Sequence, residues 1–236
     1  MPKKILVVLT ATEKYPNLNR ATGIWLGEAV HFVDVMQGRG YQVDYVTPHG
    51  GYTPIDPHSL ALAEPVDWQW YHDRAFMNRL GATLGAADVN AADYAALYFV
   101  GGHGVLWDFP DNAHFQRLSR DIYEAGGYVS SVCHGAVGLL NVTLSDGTLL
   151  LKDKTVTGFS NEEERQAELD QYVPYLTEDA LVARGARFVK AGQPWEAFAV
   201  ADGRIVTGQN PASGGAVARL LADALDSAPA AEPAAQ

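Results

Sequence analysis

Residues 129–139, VSSVCHGAVGL, hold the single cysteine of the 236-residue chain, Cys133, followed directly by His134. A β-branched run that turns at once into a Gly-Ala helix start would place the thiol on a sharp strand-to-helix elbow. Unsatisfied helix amides there would favour the thiolate and lower the thiol pKa. A neighbouring imidazole is the residue type that would take the thiol proton, although adjacency in sequence alone does not establish a Cys-His pair. The same stretch also fits a cysteine that merely fills core volume as a small hydrophobe.

Further groups have matching chemistry. Glu28, in GEAVH, is either a solvated helix carboxylate or, if buried, a raised-pKa acid able to donate a hydrogen bond to sulfur. The diglycine Gly101-Gly102 in GGHG can bring backbone N–H groups close to a ligand, where they would hold an oxyanion, or can serve only as a strand-exit turn. His103 beside it is a candidate site wall or a loop histidine. A histidine base needs a third group to fix its tautomer, and Glu162, Glu163 and Glu164 stand in VTGFSNEEERQ. Those three also fit an exposed first turn of a helix capped by Ser160 or Asn161.

The elements that must position these groups alternate between strands and helices. KKILVVLT reads as a strand buried on both faces, TGIWLGEAVHFVDVMQGRG as a helix with Leu26, Val30, Val33 and Met36 on one stripe, and YQVDYVTP as the next strand. The Pro- and aromatic-rich segment from Gly50 to Asp73 has no clear period and is expected to leave the sheet in short helical pieces and to wall a site. AALYFVGG, an amphipathic helix with Phe115, Leu118 and Ile122, and YVSSV follow. AVGLLNV is predicted as a short helix and NEEERQAELDQYVPYLTEDALVARG as mostly helical with an interruption at Pro174. ARFVKAG is predicted as a strand, AFAVADGRIVTGQ as a hairpin turning at Asp202-Gly203, and the last helix as capped by Ser213. The pattern predicts an α/β, flavodoxin-like open sheet, mostly parallel, with helices on both faces and a nucleophile elbow. It predicts one domain over residues 1–226 and a disordered Ala/Pro-rich tail over 227–236.

The net charge of -11 argues against a binder of nucleic-acid phosphates. Without a signal-peptide pattern or a long apolar stretch, the chain is expected in the cytoplasm and away from membranes. One cysteine leaves no intrachain disulfide and no Cys-rich zinc pattern.

VVLTATEKYPN, TGIWLGEAVHF, LYFVGGHGVLWDFPDN, VSSVCHGAVGL, VTGFSNEEE and GRIVTGQNPAS, in that order from about Lys4 to Leu225, resemble the ThiJ/PfpI superfamily within the class I glutamine amidotransferase-like fold. The motifs are most similar to its heat-inducible chaperone and glutathione-independent glyoxalase III branch. That resemblance implies Cys133 as nucleophile, His134 as its neighbouring histidine, Glu28 as the carboxylate hydrogen-bonded to sulfur, and Glu164, with Glu163 as runner-up, as third triad member. It implies an oxyanion pocket from the amides of Gly102 and His134, with Gly101, Gly102 and His103 at the substrate. The implied activity is a cofactor-independent, metal-free conversion of methylglyoxal or glyoxal to lactate or glycolate, of the lyase-type D-lactate dehydratase class. A holding chaperone for unfolded clients, a deglycase, and an amide or isonitrile hydrolase, hydratase or peptidase are the rival activities. The resemblance also implies a homodimer. Trp107, Phe109 and the aromatics of 68–76 are expected in the core or a dimer contact rather than the site, and an exposed, low-pKa Cys133 would oxidise readily.

Overall fold

The computed structural model describes residues 4–227; of the tail predicted over 227–236, Ser227 ends the last helix and the rest lies outside the described residues. The chain runs β1 (Lys4–Val8), α1 (Leu26–Gly38), β2 (Gln42–Thr47), α2 (Pro57–Ala61), α3 (Pro65–His72), α4 (Arg74–Gly81), β3 (Leu84–Gly85) and β4 (Ala96–Phe99). It continues through α5 (Val105–Asp108), α6 (Ala113–Glu124), β5 (Tyr128–Val132), β6 (Thr155–Val156), α7 (Asn161–Gln166) and α8 (Thr177–Ala183). The last elements are β7 (Arg187–Phe188), β8 (Ala199–Asp202), β9 (Ile205–Gly208) and α9 (Gly214–Ser227).

Seven strands form one sheet in the order β3-β2-β1-β4-β5-β9-β8. Every pair is parallel except β8–β9, the antiparallel hairpin at one edge. The β2-β1-β4-β5-β9 run is the doubly wound, flavodoxin-like order, in which ligands gather outside the carboxyl ends of the strands. Strand alternation divides the core in two. Ile5, Val7 and Leu9 pack with α1 and α9 on one face, and Leu6 and Val8 pack with α5, α6 and α8 on the other. Burial on both faces explains why β1 and β4 read as continuous apolar runs.

The structure departs from the sequence expectations where local propensity is weak. The residues after β5 form a tight 3-10 helix, Cys133–Leu139, rather than an α-helix. Gly135 and Gly138 give that run low α-propensity, and a Cβ at Gly138 would stand 2.6 Å from the Phe99 ring, so the chain packs on β4 more closely than an ordinary helix would. Only α7 and α8 form in the stretch from Asn161 to Ala183, because the residues on either side of Pro174 leave helical geometry. ARFVKAG yields the two-residue β7, paired with β6 outside the main sheet. Ser213 does not act as the expected cap of α9. It ends a 3-10 turn, Pro211–Ser213, and its Oγ accepts from the amides of Phe198 and Asn210. Among the described residues no helix is long and apolar enough to cross a membrane.

Candidate active site

Cys133 sits at the end of β5 with φ of 55°, a left-handed backbone that a non-glycine residue adopts only when its surroundings impose it. Val132 before it is extended, and the 3-10 helix begins at the cysteine itself, so the strand-to-helix elbow is present. Its carbonyl accepts the Phe159 N–H at 3.3 Å, which ties the elbow to the chain leaving β6.

His134 turns its two ring nitrogens to different partners. Nδ1 lies 3.4 Å from Cys133 Sγ, and Nε2 lies 2.6 Å from Glu164 Oε2. The other Glu164 oxygen takes His103 Nε2 at 2.8 Å. An ionised carboxylate only accepts, so both histidines carry their proton on Nε2 when neutral. That leaves Nδ1 of His134 as a lone pair facing the thiol, the geometry of a base oriented by an acid.

Glu164 reaches this position from α7. Ser160 caps that helix in a reciprocal box with Glu163, and the two consecutive glutamates then point to different places. Glu163 does not approach the cysteine-histidine pair. Its Oε2 accepts from the amide and hydroxyl of Ser160, and its Oε1 from Trp195 N, Gln209 Nε2 and Asn210 Nδ2. Asn161 is not the cap.

Glu28 is fully buried on the first turn of α1. Its Oε2 accepts the Gly101 N–H at 2.8 Å, while the Gly101 carbonyl accepts Trp25 N–H at 3.0 Å, so the start of α1 is pinned to the exit of β4 through both backbone groups of one glycine. Tyr98 adds a hydroxyl bond to the Glu28 carbonyl at 3.0 Å and stacks on Phe32. The Glu28 carboxyl lies beside the Cys133 side chain across Gly101, and its Oε1 has no hydrogen-bond partner among the described residues. A Cβ at Gly101 would lie 2.5 Å from Glu28 Oε2 and 2.9 Å from Cys133 Cβ, which is why glycine stands there. The Gly101 amide is thus committed to Glu28 and is not free for a substrate oxygen. Gly102, at φ of 102°, lines the open side with His134.

Burial pushes the Glu28 carboxyl up to about 8, against the hydrogen bonds from Cys133 and Gly101. Burial, and next the Glu28 charge, also raise the Cys133 thiol well above its ordinary value, while the His134 N–H pulls it down. The structure therefore corrects the expectation of a low-pKa, exposed thiol: Cys133 is 2% exposed and the dipole of one short 3-10 helix does not offset desolvation. The same burial removes the basis for ready oxidation. With Glu28 protonated, its charge no longer opposes thiolate formation and its proton can be donated to sulfur. Burial raises the Glu164 pKa, but the positive charge on His134 and the hydrogen bonds from both histidines outweigh it and hold the carboxyl well below the usual range. Burial, then repulsion by His134, lowers the pKa of His103.

Cys133, Gly102, His103 and His134 form one end of a cavity of about 450 Å³. Asp56, His58, Leu62, Glu64 and Asp67 from the 50–73 excursion wall it, as its composition predicts. Phe159, Leu169, Trp195 and Asn210 close another side. Sequence reasoning missed Trp195, which lies in no motif, and gave no role to Phe159 of VTGFSNEEE; the two come together only through long-range packing. Phe109 is buried in the core and Trp107 packs edge-on against Tyr15, both away from the cavity.

One ligand atom each from His103, His134 and Glu164 lie within 4.8 Å of one another, the donor set a divalent cation would need. Short hydrogen bonds already join them, so a metal would have to displace the protons that orient His134. As it stands the arrangement can deprotonate a thiol, hold the resulting charge beside a neutral acid, and pass a proton through an oriented imidazole.

The chain is 32% identical over 235 residues to the glutathione-independent glyoxalase HSP31 of Saccharomyces cerevisiae, covering 95% of this chain and 98% of that protein. It is similar to the structure of a rapid encystment protein from Francisella tularensis, with a TM-score of 0.91 and 36% identity over 95% of this chain and 99% of that one. It is also similar to glyoxalase III of Candida albicans, with a TM-score of 0.86 and 29% identity over 94% of this chain and 96% of that one. A DJ-1/PfpI family model matches residues 21–224, a span holding the elbow, the diglycine and the buried Glu28, Glu163 and Glu164. By sequence and by fold, this chain belongs to the DJ-1/PfpI family.

Proposed function

We propose that the protein is a glutathione-independent glyoxalase that converts 2-oxoaldehydes such as methylglyoxal and glyoxal to 2-hydroxy acids. The observation that carries this reading is the buried Cys133–His134–Glu164 line, with protonated Glu28 beside the cysteine, at the end of a cavity. The names of the relatives supply the substrate class.

His134 Nδ1 takes the Cys133 proton, and the thiolate adds to the aldehyde carbon to give a hemithioacetal alkoxide. The amides of Gly102 and His134, both lining the cavity, are assigned to hold that oxygen. A base then removes the hydrogen of the former aldehyde carbon, giving an enediol, and a proton returns to the neighbouring carbon. His134 is the group assigned to this shuttle, held in orientation by Glu164. The product of that step is a thioester of the 2-hydroxy acid, which water cleaves to free acid and thiol. One carbon is oxidised as its neighbour is reduced, so the reaction balances with water alone. Read in reverse it is a dehydration, which places the activity in the lyase class.

A single catalytic unit over residues 1–226, a homodimer and a cytoplasmic location complete the proposal, supported by the one family match across the chain and the lone free cysteine. The test is lactate formation from methylglyoxal by purified protein with no glutathione present. Stoichiometric lactate supports the reading. Methylglyoxal loss without lactate, or no loss from folded protein, refutes it.

A further inference from the structure

The cavity is much larger than methylglyoxal requires. Its volume of about 450 Å³ lies within the ~300–1,000 Å³ of sites that enclose drug-sized ligands, whereas methylglyoxal has no more bulk than a few water molecules of about 30 Å³ each. The wall near the thiol is apolar and aromatic. Phe159 packs tilted against His134, ring centroids 4.3 Å apart at 35°, and Trp195 stands edge-on to Phe159 at 5.6 Å. An aromatic layer thus runs outward from the catalytic imidazole to the cavity rim.

Trp195 is held there against its own preference. Its φ of 67° is left-handed, costly for a bulky side chain, and the residue is 44% exposed. What fixes it is Glu163, which is 0% exposed and receives five donors. Trp195 N–H is one of them at 2.8 Å, and Asn210 Nδ2, from the segment between β9 and α9, is another at 2.9 Å. The Trp195 indole N–H in turn donates to Gln166 of α7, the helix that carries Glu163 and Glu164. No cation pairs with Glu163 among the described residues; a buried acceptor with five donors has the geometry of a clamp on the loops it joins.

We propose that the cavity selects 2-oxoaldehydes bearing a bulky apolar or aromatic substituent, with Trp195 as the specificity-determining residue and Glu163 as the residue that positions it. The inference rests on the glyoxalase reading for its chemistry but not for its recognition. The substituent lies along Phe159 and Trp195 while the aldehyde carbon meets Cys133 Sγ. Glu163 acts through the Trp195 backbone and touches no substrate. In Glu163→Gln an amide NH2 would face donors whichever way it is turned, so the clamp on the loop is released.

The experiment compares kcat and KM for phenylglyoxal and methylglyoxal in wild type, Trp195→Ala, Trp195→Phe and Glu163→Gln. Wild type is expected to favour phenylglyoxal in kcat/KM by roughly tenfold or more, the discrimination one apolar subsite supplies. Trp195→Ala loses most of that preference, its phenylglyoxal KM rising by a larger factor than its methylglyoxal KM. Trp195→Phe retains the preference, and Glu163→Gln shifts it in the same direction as Trp195→Ala. A wild type that prefers methylglyoxal, or a Trp195→Ala variant that loses both substrates equally, overturns the proposal. If neither aldehyde is turned over, the glyoxalase reading has failed, and binding of phenylglyoxylate against pyruvate to Cys133→Ala decides the recognition separately. Tighter phenylglyoxylate binding that Trp195→Ala abolishes upholds it, and equal binding overturns it.

Discussion

At the scale of single residues, the account turns on where two protons sit. Glu164 fixes His134 with its lone pair toward sulfur, so Glu164→Gln, which can present an amide N–H to Nε2 and reverse the tautomer, is expected to lower kcat by about 10²–10⁴-fold with KM little changed. Steady-state kinetics at neutral pH checks this. Glu28 loses its proton at about 8, after which its charge opposes the thiolate and it has no proton to donate to sulfur. The pH profile of kcat/KM is therefore expected to fall through an inflection near that value, and Glu28→Gln, which keeps an N–H donor but cannot ionise, should remove the inflection while costing less than about tenfold at neutral pH. Much of this constellation was legible in the sequence, because Cys133, His134, Glu28 and the Glu162–Glu164 run lie in short motifs with nucleophile-elbow chemistry. The environment of the thiol was not. An elbow motif reports a turn and a dipole, whereas the Cys133 pKa follows from burial by residues as distant as Glu28 and Phe159, which no local pattern records.

At the scale of elements, the site depends on one seam between the start of α1 and the exit of β4. The Gly101 peptide bonds Glu28 on one side and Trp25 on the other. Gly101→Ala would push a methyl group to 2.5 Å from Glu28 Oε2 and 2.9 Å from Cys133 Cβ. It is expected to destabilise the fold by about 1–3 kcal/mol and to reduce activity further than the lost folded fraction accounts for, as chemical denaturation and assay at matched folded concentration would show. Elements with strong periodicity were read correctly: the buried run of β1, the apolar stripe of α1 and the amphipathic α6 each state their burial in their spacing. The elements misread are those whose form is set by neighbours. The run after Cys133 winds as a 3-10 helix because its glycines sit against Phe99, and residues 161–183 break around Pro174 into two short helices. Residue 195 joins the site only because a glutamate thirty residues earlier clamps its backbone, a relation visible only once α7 is folded.

At the scale of the whole molecule, two buried acids give stability opposite pH dependences. Glu28 is raised from 4.5 to about 8 on folding, so the folded protein holds a proton that the unfolded chain releases between those values, and stability falls as pH rises through that window. Glu164 is depressed, so its contribution is present above about 4.5, its ordinary value, and is lost as pH falls below it. Urea midpoints measured across that range should decline toward alkaline pH in wild type and decline less in Glu28→Gln. The sheet order, the two-faced core and the cavity beyond the strand ends all serve to place one buried thiol between a base and a neutral acid. The measurement that tests this most directly is glutathione-free turnover of methylglyoxal by wild type, Cys133→Ala and His134→Ala, with lactate quantified and quenched protein weighed by intact mass spectrometry. The account predicts lactate from wild type alone and a single dicarbonyl adduct that requires Cys133. Lactate at an undiminished rate from Cys133→Ala would contradict it.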